Sequence, residues 1–310
     1  MTMTAVRIER FGPPDVITID SVPVPEPGSD ELIVRVRAAG VGHWDALIRA
    51  GKVEGEPLPL ILGSELSGVI EAIGAGVSGF TAGDEVYGAT NERFTGGYAE
   101  YAVASARRMA QKPSTLDFVR AAAVPVVAVT AWQMLFEYAQ VTAGQTVLIH
   151  GAAGNVGACA VQLASQAGLH VIATAASTDF AYVHRLGAER VVDYRKARFE
   201  DSVAGVDVVL DTVGGETQQR SLQVLKPNGI LVSSVSAVSP AVQRQHAVRA
   251  AYFYADVTTE RLNRIAALLD TGQLAVDVGT QLPLEKARIA HDMLEGAPHN
   301  RGKIVLTTTA

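Results

Sequence analysis

The stretch Gly151-Ala152-Ala153-Gly154-Asn155-Val156-Gly157 lies directly between the apolar run TVLIH (146–150) and a segment over 155–167 whose apolar residues have helical spacing. A tight glycine turn between a strand and a helix is what a dinucleotide site requires, because the first N–H groups of the helix then face a pyrophosphate. Gly154 leaves the phosphates room to approach the backbone. Gly157 lets the helix pack close to the strand. Ala152 stands where the strict G-x-G-x-x-G fingerprint has its first glycine. A turn of this kind alone could equally be a plain sheet-to-helix connector, but its place at the head of a long strand–helix alternation favours dinucleotide binding.

Which dinucleotide follows from the next strand. NAD sites carry Asp or Glu about 20 residues on, to hold the ribose 2′-hydroxyl. Here the second strand runs out as Thr174-Ala175-Ala176-Ser177, with no acid. That permits a 2′-phosphate, which Ser177 can meet with its hydroxyl, Tyr194 can reach from the end of the third strand, and Arg195 and Lys196 can favour by charge. NADPH is therefore expected over NADH. Two plainer readings stay open: Ser177 or Thr178 caps the following helix, and Arg195 and Lys196 form a solvated face.

The elements that must position this turn are legible around it. Strand-like runs TVLIH (146–150), HVIAT (170–174), RVVDY (190–194), VDVVLDT (206–212), GILVSSV (229–235) and AYFYADV (251–257) alternate with helical patterns over 155–167, near 180–186, near 217–225 and over 260–269. Six such strands predict an α/β, doubly wound parallel sheet. The first 110 residues read as β-rich instead, with strand character at 16–19 and 32–36 and glycines every few residues through 66–88. The text after about 275 returns to short strands and ends in KIVLTTT. The expected organisation is a β-rich domain of 1–118 with 275–310, its last strand completing the first segment, and an inserted dinucleotide-binding domain of 119–274.

Composition narrows the class. The 310 residues carry 26 Lys+Arg against 32 Asp+Glu, a net charge of −6, so no basic field exists to hold nucleic acid. One cysteine excludes internal disulfides and cysteine-rich zinc sites and suits a reducing compartment. The N-terminal residues contain no apolar signal core, and the longest apolar run, 121–136, is broken by Pro125, Thr130 and Gln133. A soluble cytoplasmic protein with no membrane or nucleic-acid partner is expected.

Several stretches together resemble the medium-chain dehydrogenase/reductase superfamily, in its zinc-independent NADPH:quinone oxidoreductase-like branch. They are Ala39-Gly40-Val41 with Asp45, Gly63–Gly68 (GSELSG), Gly83–Val86 (GDEV), Gly97–Tyr101 (GYAEY), Thr130-Ala131, the turn 151–157, Leu186-Gly187-Ala188, Asp211–Gly214 (DTVG) and Gly302–Leu306 (GKIVL). The resemblance implies a chaperonin-10-like β-barrel catalytic domain, a Rossmann domain and a cleft between them for the nicotinamide. It implies a homodimer through the edge strand at 251–257, where the alternative is that Tyr252 and Tyr254 shield a monomer's sheet edge. It carries over Gly154, Asn155 and Val156 as pyrophosphate contacts, Ser177 and Tyr194 at the adenosine phosphate, Thr130 beside the nicotinamide, and Val213, Ser234, Val235 and Ser236 as loops lining the cofactor. Lys303 matches a position near the cofactor cleft; its plainer reading is a surface lysine.

Departures from the family pattern shape the expected reaction. Where zinc enzymes of the superfamily place metal ligands, this chain has Gly42, Ser64 and Val126, and its one thiol, Cys159, falls in the helix after the turn. None of the three positions offers a good zinc donor, and Cys159 reads as a small buried apolar side chain. Without a Lewis acid for alcohol oxidation, hydride delivery to an electron-poor quinone or α,β-unsaturated carbonyl is expected. Glu65 reads as structural. In the stretch 42–49 the usual Asn and Tyr are replaced by Gly42 and Leu47, leaving His43 and Trp44, with Tyr98, as candidate pocket residues; each also reads as a structural or core side chain. An enoyl-thioester reductase is the alternative in the same chemistry, though its proton-donating Tyr is missing from Lys52-Val53. A non-catalytic NADPH-binding sensor or scaffold is the alternative from another class.

Overall fold

A computed structural model of the chain describes residues 1–53 and 57–309. Eight strands come first: β1 (Thr2–Ile8), β2 (Ile17–Pro23), β3 (Glu31–Val41), β4 (Leu60–Ile61), β5 (Glu65–Ile73), β6 (Glu85–Ala89), β7 (Tyr101–Ser105) and β8 (Met109–Gln111), with helix α1 (His43–Arg49) between β3 and β4. Helices α2 (Phe118–Ala122) and α3 (Pro125–Trp132) lead to the alternating block, α3 continuing into a π-helical turn over Gln133–Tyr138. That block is β9 (Thr146–Ile149), α4 (Asn155–Gln166), β10 (His170–Ala175), α5 (Phe180–Arg185), β11 (Arg190–Asp193), β12 (Val206–Asp211), α6 (Gly215–Ser221), β13 (Leu225–Ser233), α7 (Pro240–His246) and β14 (Arg249–Tyr252). Helix α8 (Thr259–Asp270), β15 (Val278–Pro283), α9 (Ala287–Leu294) and β16 (Lys303–Thr307) follow.

The chain divides into two compact units, Met1–Val126 with Val257–Gly272 and Val276–Ala310, and Val127–Asp256 with Gln273–Ala275. In the first, β3 pairs antiparallel with β5, β7 and β16, so the strand nearest the C-terminus closes onto the third strand of the chain. The barrel interior is filled by Val6, Ile8, Leu32, Val34, Val36, Leu62, Leu66, Ile70, Val86 and Leu306.

Relative to the boundaries expected from sequence, this unit also takes in 119–126 and 257–272. Polar contacts explain the second addition. Tyr87 donates its hydroxyl to Leu262 O, Thr259 donates to Met109 O, and Asp270 accepts from Ser114 and Thr115. An amphipathic pattern identifies α8 as a helix but does not say which sheet its buried side covers.

The second unit is a six-stranded sheet in the order β11-β10-β9-β12-β13-β14, parallel throughout. This is the doubly wound arrangement expected, with the order reversing beside β9. Helix α4 buries Ala158, Cys159, Ala160, Val161, Leu163 and Ala164, small and branched residues that let it lie close to the sheet.

Three elements differ from expectation. The helix near 217–225 ends at Ser221, and Leu225 belongs to β13, because Pro227 and the left-handed Asn228 (φ 64°) bar a helix from continuing. The last strand of the sheet occupies 249–252 and not 251–257. Helix α9, over ARIAHDML, interrupts what reads as a strand-rich tail; its Ala287, Ala290 and His291 are buried. No helix among the described residues is long and apolar enough to cross a membrane.

Candidate active site

In the second unit, the turn after β9 opens helix α4 with Gly154 as its N-cap, unassisted by any side-chain cap. The first N–H groups of the helix therefore have no intrahelical partner and point out at its positive end. Gly151 is left-handed at φ 65°, and Gly154 N donates to its carbonyl at 2.9 Å. The turn abuts the loop after β12: Thr212 donates to His150 O at 2.9 Å, and a Cβ on Gly151 would lie 2.4 Å from Thr212 Oγ1.

The loops after β12 and β13 are braced by one carboxylate. Asp211, fully buried, accepts from Val213 N, Gly214 N, the Gln218 amide and the Ser233 hydroxyl. Ser233 in turn accepts from Val235 N and Ser236 N, and Gln218 donates to Ser236 O. The apolar side chains held between these polar contacts, Val213 and Val235, are 51% and 44% exposed. In the sequence Asp211 stands out only within the DTVG motif; the signal for Asp211 and Ser233 is a polar residue ending each of two buried strands, and Gln218 carries no such mark.

Ser177 and Tyr194 come together at the carboxyl ends of adjacent strands, where Ala175 of β10 is in register with Asp193 of β11. Tyr194 is 56% exposed and stacks under the Arg195 guanidinium. Ser177 caps neither following helix; its hydroxyl donates to Asp193. Asp193, which ends β11, places an acid beside Ser177 that the acid-free end of β10 does not reveal. The Arg195 N–H, the Ser177 hydroxyl and the charges of Lys196 and Arg195 hold its carboxyl below the usual range. Arg195 and Lys196 thus stand near two carboxylates, Asp193 and, in the turn that Ser177 opens, Asp179. Thr130 lies buried in α3, outside the sheet.

Behind the turn, His150 is buried. Ser221 spends its proton on Thr217 O, so His150 Nε2–H donates to Ser221 Oγ and Nδ1 accepts from Thr174. Burial pushes this imidazole down to about 4. The neutral ring is thus built into the fold. The unfolded chain, titrating near 6.5, takes up the proton first as the pH falls, so stability is full above about 6.5 and declines toward 4. Between pH 7.5 and 4.5, urea unfolding of the wild type should lose on the order of 2–3 kcal/mol more than that of His150→Gln, the other buried groups, His291 and Asp45 among them, contributing equally to both proteins.

In the first unit, a second polar group centres on Lys303. This lysine is buried, not at the surface, and its Nζ lies 2.5 Å from Glu65 Oε1. Glu65 Oε2 accepts from Val126 N at 2.8 Å, which gives Glu65 the structural part expected of it. Asp45 accepts from Ser64, from Gly42 N at 2.8 Å and from the Tyr98 hydroxyl at 2.9 Å. Burial pushes the Asp45 carboxyl up to about 6 despite these donors and the Lys303 charge. Tyr98 is enclosed in the barrel with its hydroxyl so engaged, and its ring is not offered as a pocket wall. His43 is exposed at the start of α1, while Trp44 is half-buried, edge-on to Phe94 with centroids 6.3 Å apart.

The residues at the metal-ligand positions do not fit zinc. Gly42 has no side chain, Val126 offers only an apolar one, and the Ser64 hydroxyl is spent on Asp45. An ammonium, Lys303 Nζ, sits 3.2 Å from where a side chain at Gly42 would begin. A cation there opposes a second cation.

Residues 28–114 match the alcohol dehydrogenase GroES-like domain and residues 186–306 the zinc-binding dehydrogenase family. The quinone oxidoreductase of Homo sapiens is 32% identical over 322 residues, covering 98% of this chain and 97% of that protein. The NADPH-dependent alkenal/one oxidoreductase of Arabidopsis thaliana is 31% identical, covering 98% of this chain and 79% of the relative. Among solved structures, the quinone oxidoreductase from Coxiella burnetii superposes with a TM-score of 0.93 at 33% identity over 99% of both chains. The Escherichia coli quinone oxidoreductase complexed with NADPH superposes at 0.90, with 28% identity over 98% of this chain and 99% of that one. A GroES-like barrel, a Rossmann sheet and full-length likeness to these enzymes agree: the chain belongs to the medium-chain dehydrogenase/reductase superfamily, in its quinone oxidoreductase-like branch.

Proposed function

We propose that this oxidoreductase reduces quinones or activated alkenes with NADPH and without zinc. One observation carries the reading: the turn 151–157, Ser177 with Tyr194, Val213, and Ser234–Ser236 all lie at the carboxyl edge of one parallel sheet, where open α/β sheets bind their ligands. When bound, NADPH supplies the hydride. The backbone N–H groups opening α4 would hold its pyrophosphate, Ser177, Tyr194, Arg195 and Lys196 its adenosine phosphate, and Val213 with Val235 would pack against its apolar surface. The NADPH-bound relative and the NADPH-dependent alkenal/one oxidoreductase support the choice of cofactor. The absence of metal donors at Gly42, Ser64 and Val126 supports a reaction that asks for no Lewis acid. We also propose a homodimer paired through β14, the edge strand of the sheet, with Tyr254, 63% exposed, two residues beyond its end; sedimentation should give twice the chain mass.

Purified protein should oxidise NADPH, followed by its absorbance, when given small quinones or enones, at a rate unchanged by chelators. No turnover across a broad acceptor panel refutes the reading. Replacing Arg195 and Lys196 together by Ala removes the two cations beside Ser177. NADPH affinity should fall about tenfold while NADH affinity stays constant, since exposed charges each contribute roughly 1 kcal/mol or less. Fluorescence titration with both cofactors checks this, and an equal loss for the two would assign the 2′-phosphate elsewhere.

A further inference from the structure

A histidine ends the run that leads into the glycine turn. Val147, Leu148 and Ile149 of β9 are apolar and fully buried, and His150 follows them at 1% exposure, directly before Gly151. An apolar side chain would fill this place without the cost of taking a polar ring out of water. The partners of the imidazole show what it does there.

Strands β9 and β10 pair in register as far as Ile149 and Ala173. Beyond that point the chain leaves β9 for the turn 151–157. Two contacts to the next residue of β10, Thr174, span the parting. Ala152 N donates to its carbonyl at 3.2 Å, and its hydroxyl donates to His150 Nδ1 at 3.0 Å. The other ring nitrogen, Nε2, donates to Ser221 Oγ at 2.9 Å and so reaches the last residue of α6. The Phe199 ring stands edge-on to the imidazole, centroids 4.6 Å apart, and the Arg220 guanidinium lies over that ring. Helix α6 also carries Gln218, a donor to Asp211, so the imidazole ties the turn to the brace under the loops after β12 and β13. On the other side, Thr174 stands three residues before Ser177, and its neighbour Ala175 accepts from Tyr194 N.

We propose that His150 is a positioning residue for the dinucleotide, its ring setting the spacing between the turn 151–157 and the corner formed by Ser177 and Tyr194. The proposal rests on the reading of this sheet edge as an NADPH site. A dinucleotide engages turn and corner at once through a linkage of fixed reach, so its affinity depends on their spacing as well as on each contact. A fragment that engages the corner alone is indifferent to that spacing. His150 acts through Thr174 and Ser221 and not by contact with the ligand.

The test measures Kd at neutral pH for NADPH, by calorimetry, and for adenosine 2′-monophosphate, by ligand-observed NMR, in wild type and three variants. His150→Leu keeps a buried side chain and loses both hydrogen bonds. Thr174→Val keeps the shape of Thr174 and loses one. His150→Gln puts an amide oxygen and nitrogen in the roles of Nδ1 and Nε2. NADPH affinity should fall about 20-fold in His150→Leu and about fivefold in Thr174→Val, stay within about threefold in His150→Gln, and the fragment's affinity should hold in all three. An equal loss for NADPH and fragment would make the ring a plain support of the corner and overturns the proposal. Unchanged NADPH affinity in His150→Leu, or a His150→Gln as weak as His150→Leu, overturns it too. Should His150→Leu fail to fold, Thr174→Val decides alone. A wild type that binds neither ligand overturns the NADPH reading and the proposal with it, whereas a wild type that binds NADPH no better than His150→Leu overturns the proposal only.

Discussion

Gly157→Val should lower the affinity for NADPH by about three orders of magnitude. A Cβ on Gly157 would lie 2.2 Å from the Gly151 carbonyl oxygen and 2.8 Å from Ala152 Cα, both backbone atoms that cannot rotate aside. Helix α4 cannot retreat either, because Cys159, Ala160, Val161, Leu163 and Ala164 are buried along its length. The turn must yield, and with it goes the Gly154 N–H bond to Gly151 O that sets the angle at which the helix begins. Moving the opening N–H groups by roughly an ångström removes their alignment on a pyrophosphate, and each charge-assisted hydrogen bond lost is worth about 1.5–3 kcal/mol. Overpacking should also destabilise the fold by about 1–3 kcal/mol. Gly154→Ala is the control: its Cβ meets only Gly151 O, at 3.2 Å, so the turn gives by a few tenths of an ångström and affinity should fall about tenfold. Intrinsic-fluorescence titration with NADPH, alongside circular dichroism, separates binding from folding. Binding by a folded Gly157→Val within tenfold of wild type would mean that this turn is not the cofactor cradle.

The contrast between Gly157 and Lys303 shows what could be read in advance. Glycines at fixed offsets between an apolar strand and a helical pattern report a local geometry, so the turn and the parallel sheet were legible from spacing, the last strand excepted, which lies at 249–252 and not at 251–257. Lys303 owes its meaning to residues 238 to 261 positions earlier in the chain: Gly42, Asp45 and Glu65. No periodicity encodes the fact that β16 folds back onto β3 and carries the lysine beneath Gly42. The same holds for α8, whose pattern reveals a helix but whose partner strand is fixed by Tyr87 and Thr259 contacts across the barrel unit. Tyr98 is a further case. Its motif marks it as significant, and only the Asp45 hydrogen bond shows that the side chain serves the barrel interior.

Asp211→Ala should lower stability by about 4 kcal/mol and the melting temperature of the chain by on the order of 10 °C. The carboxylate is fully buried and accepts four hydrogen bonds, from Val213 N at 3.0 Å, Gly214 N at 2.8 Å, Gln218 Nε2 at 3.0 Å and Ser233 Oγ at 2.8 Å. Two of the donors are backbone amides that cannot turn toward another acceptor. Truncation strands these donors in a space that held an anion, and a buried donor without a partner costs about 1–3 kcal/mol. The damage extends past the strand ends, because Ser233 and Gln218 pass the brace on to Val235 N, Ser236 N and Ser236 O. Both loops should loosen together, with NADPH affinity falling along with stability. Asp211→Asn separates shape from charge. Its oxygen can still accept from the Val213 and Gly214 amides, while its NH2 faces Gln218 and Ser233, which can turn to accept; a loss of about 2 kcal/mol is expected. Ser233→Ala, which removes one donor and the support of two amides, should fall near the same value. Differential scanning calorimetry of the three variants should rank Ala well below Asn and Ser233→Ala. If Asp211→Ala melts within about 2 °C of wild type, solvent has replaced all four bonds and the loops after β12 and β13 are held by packing instead.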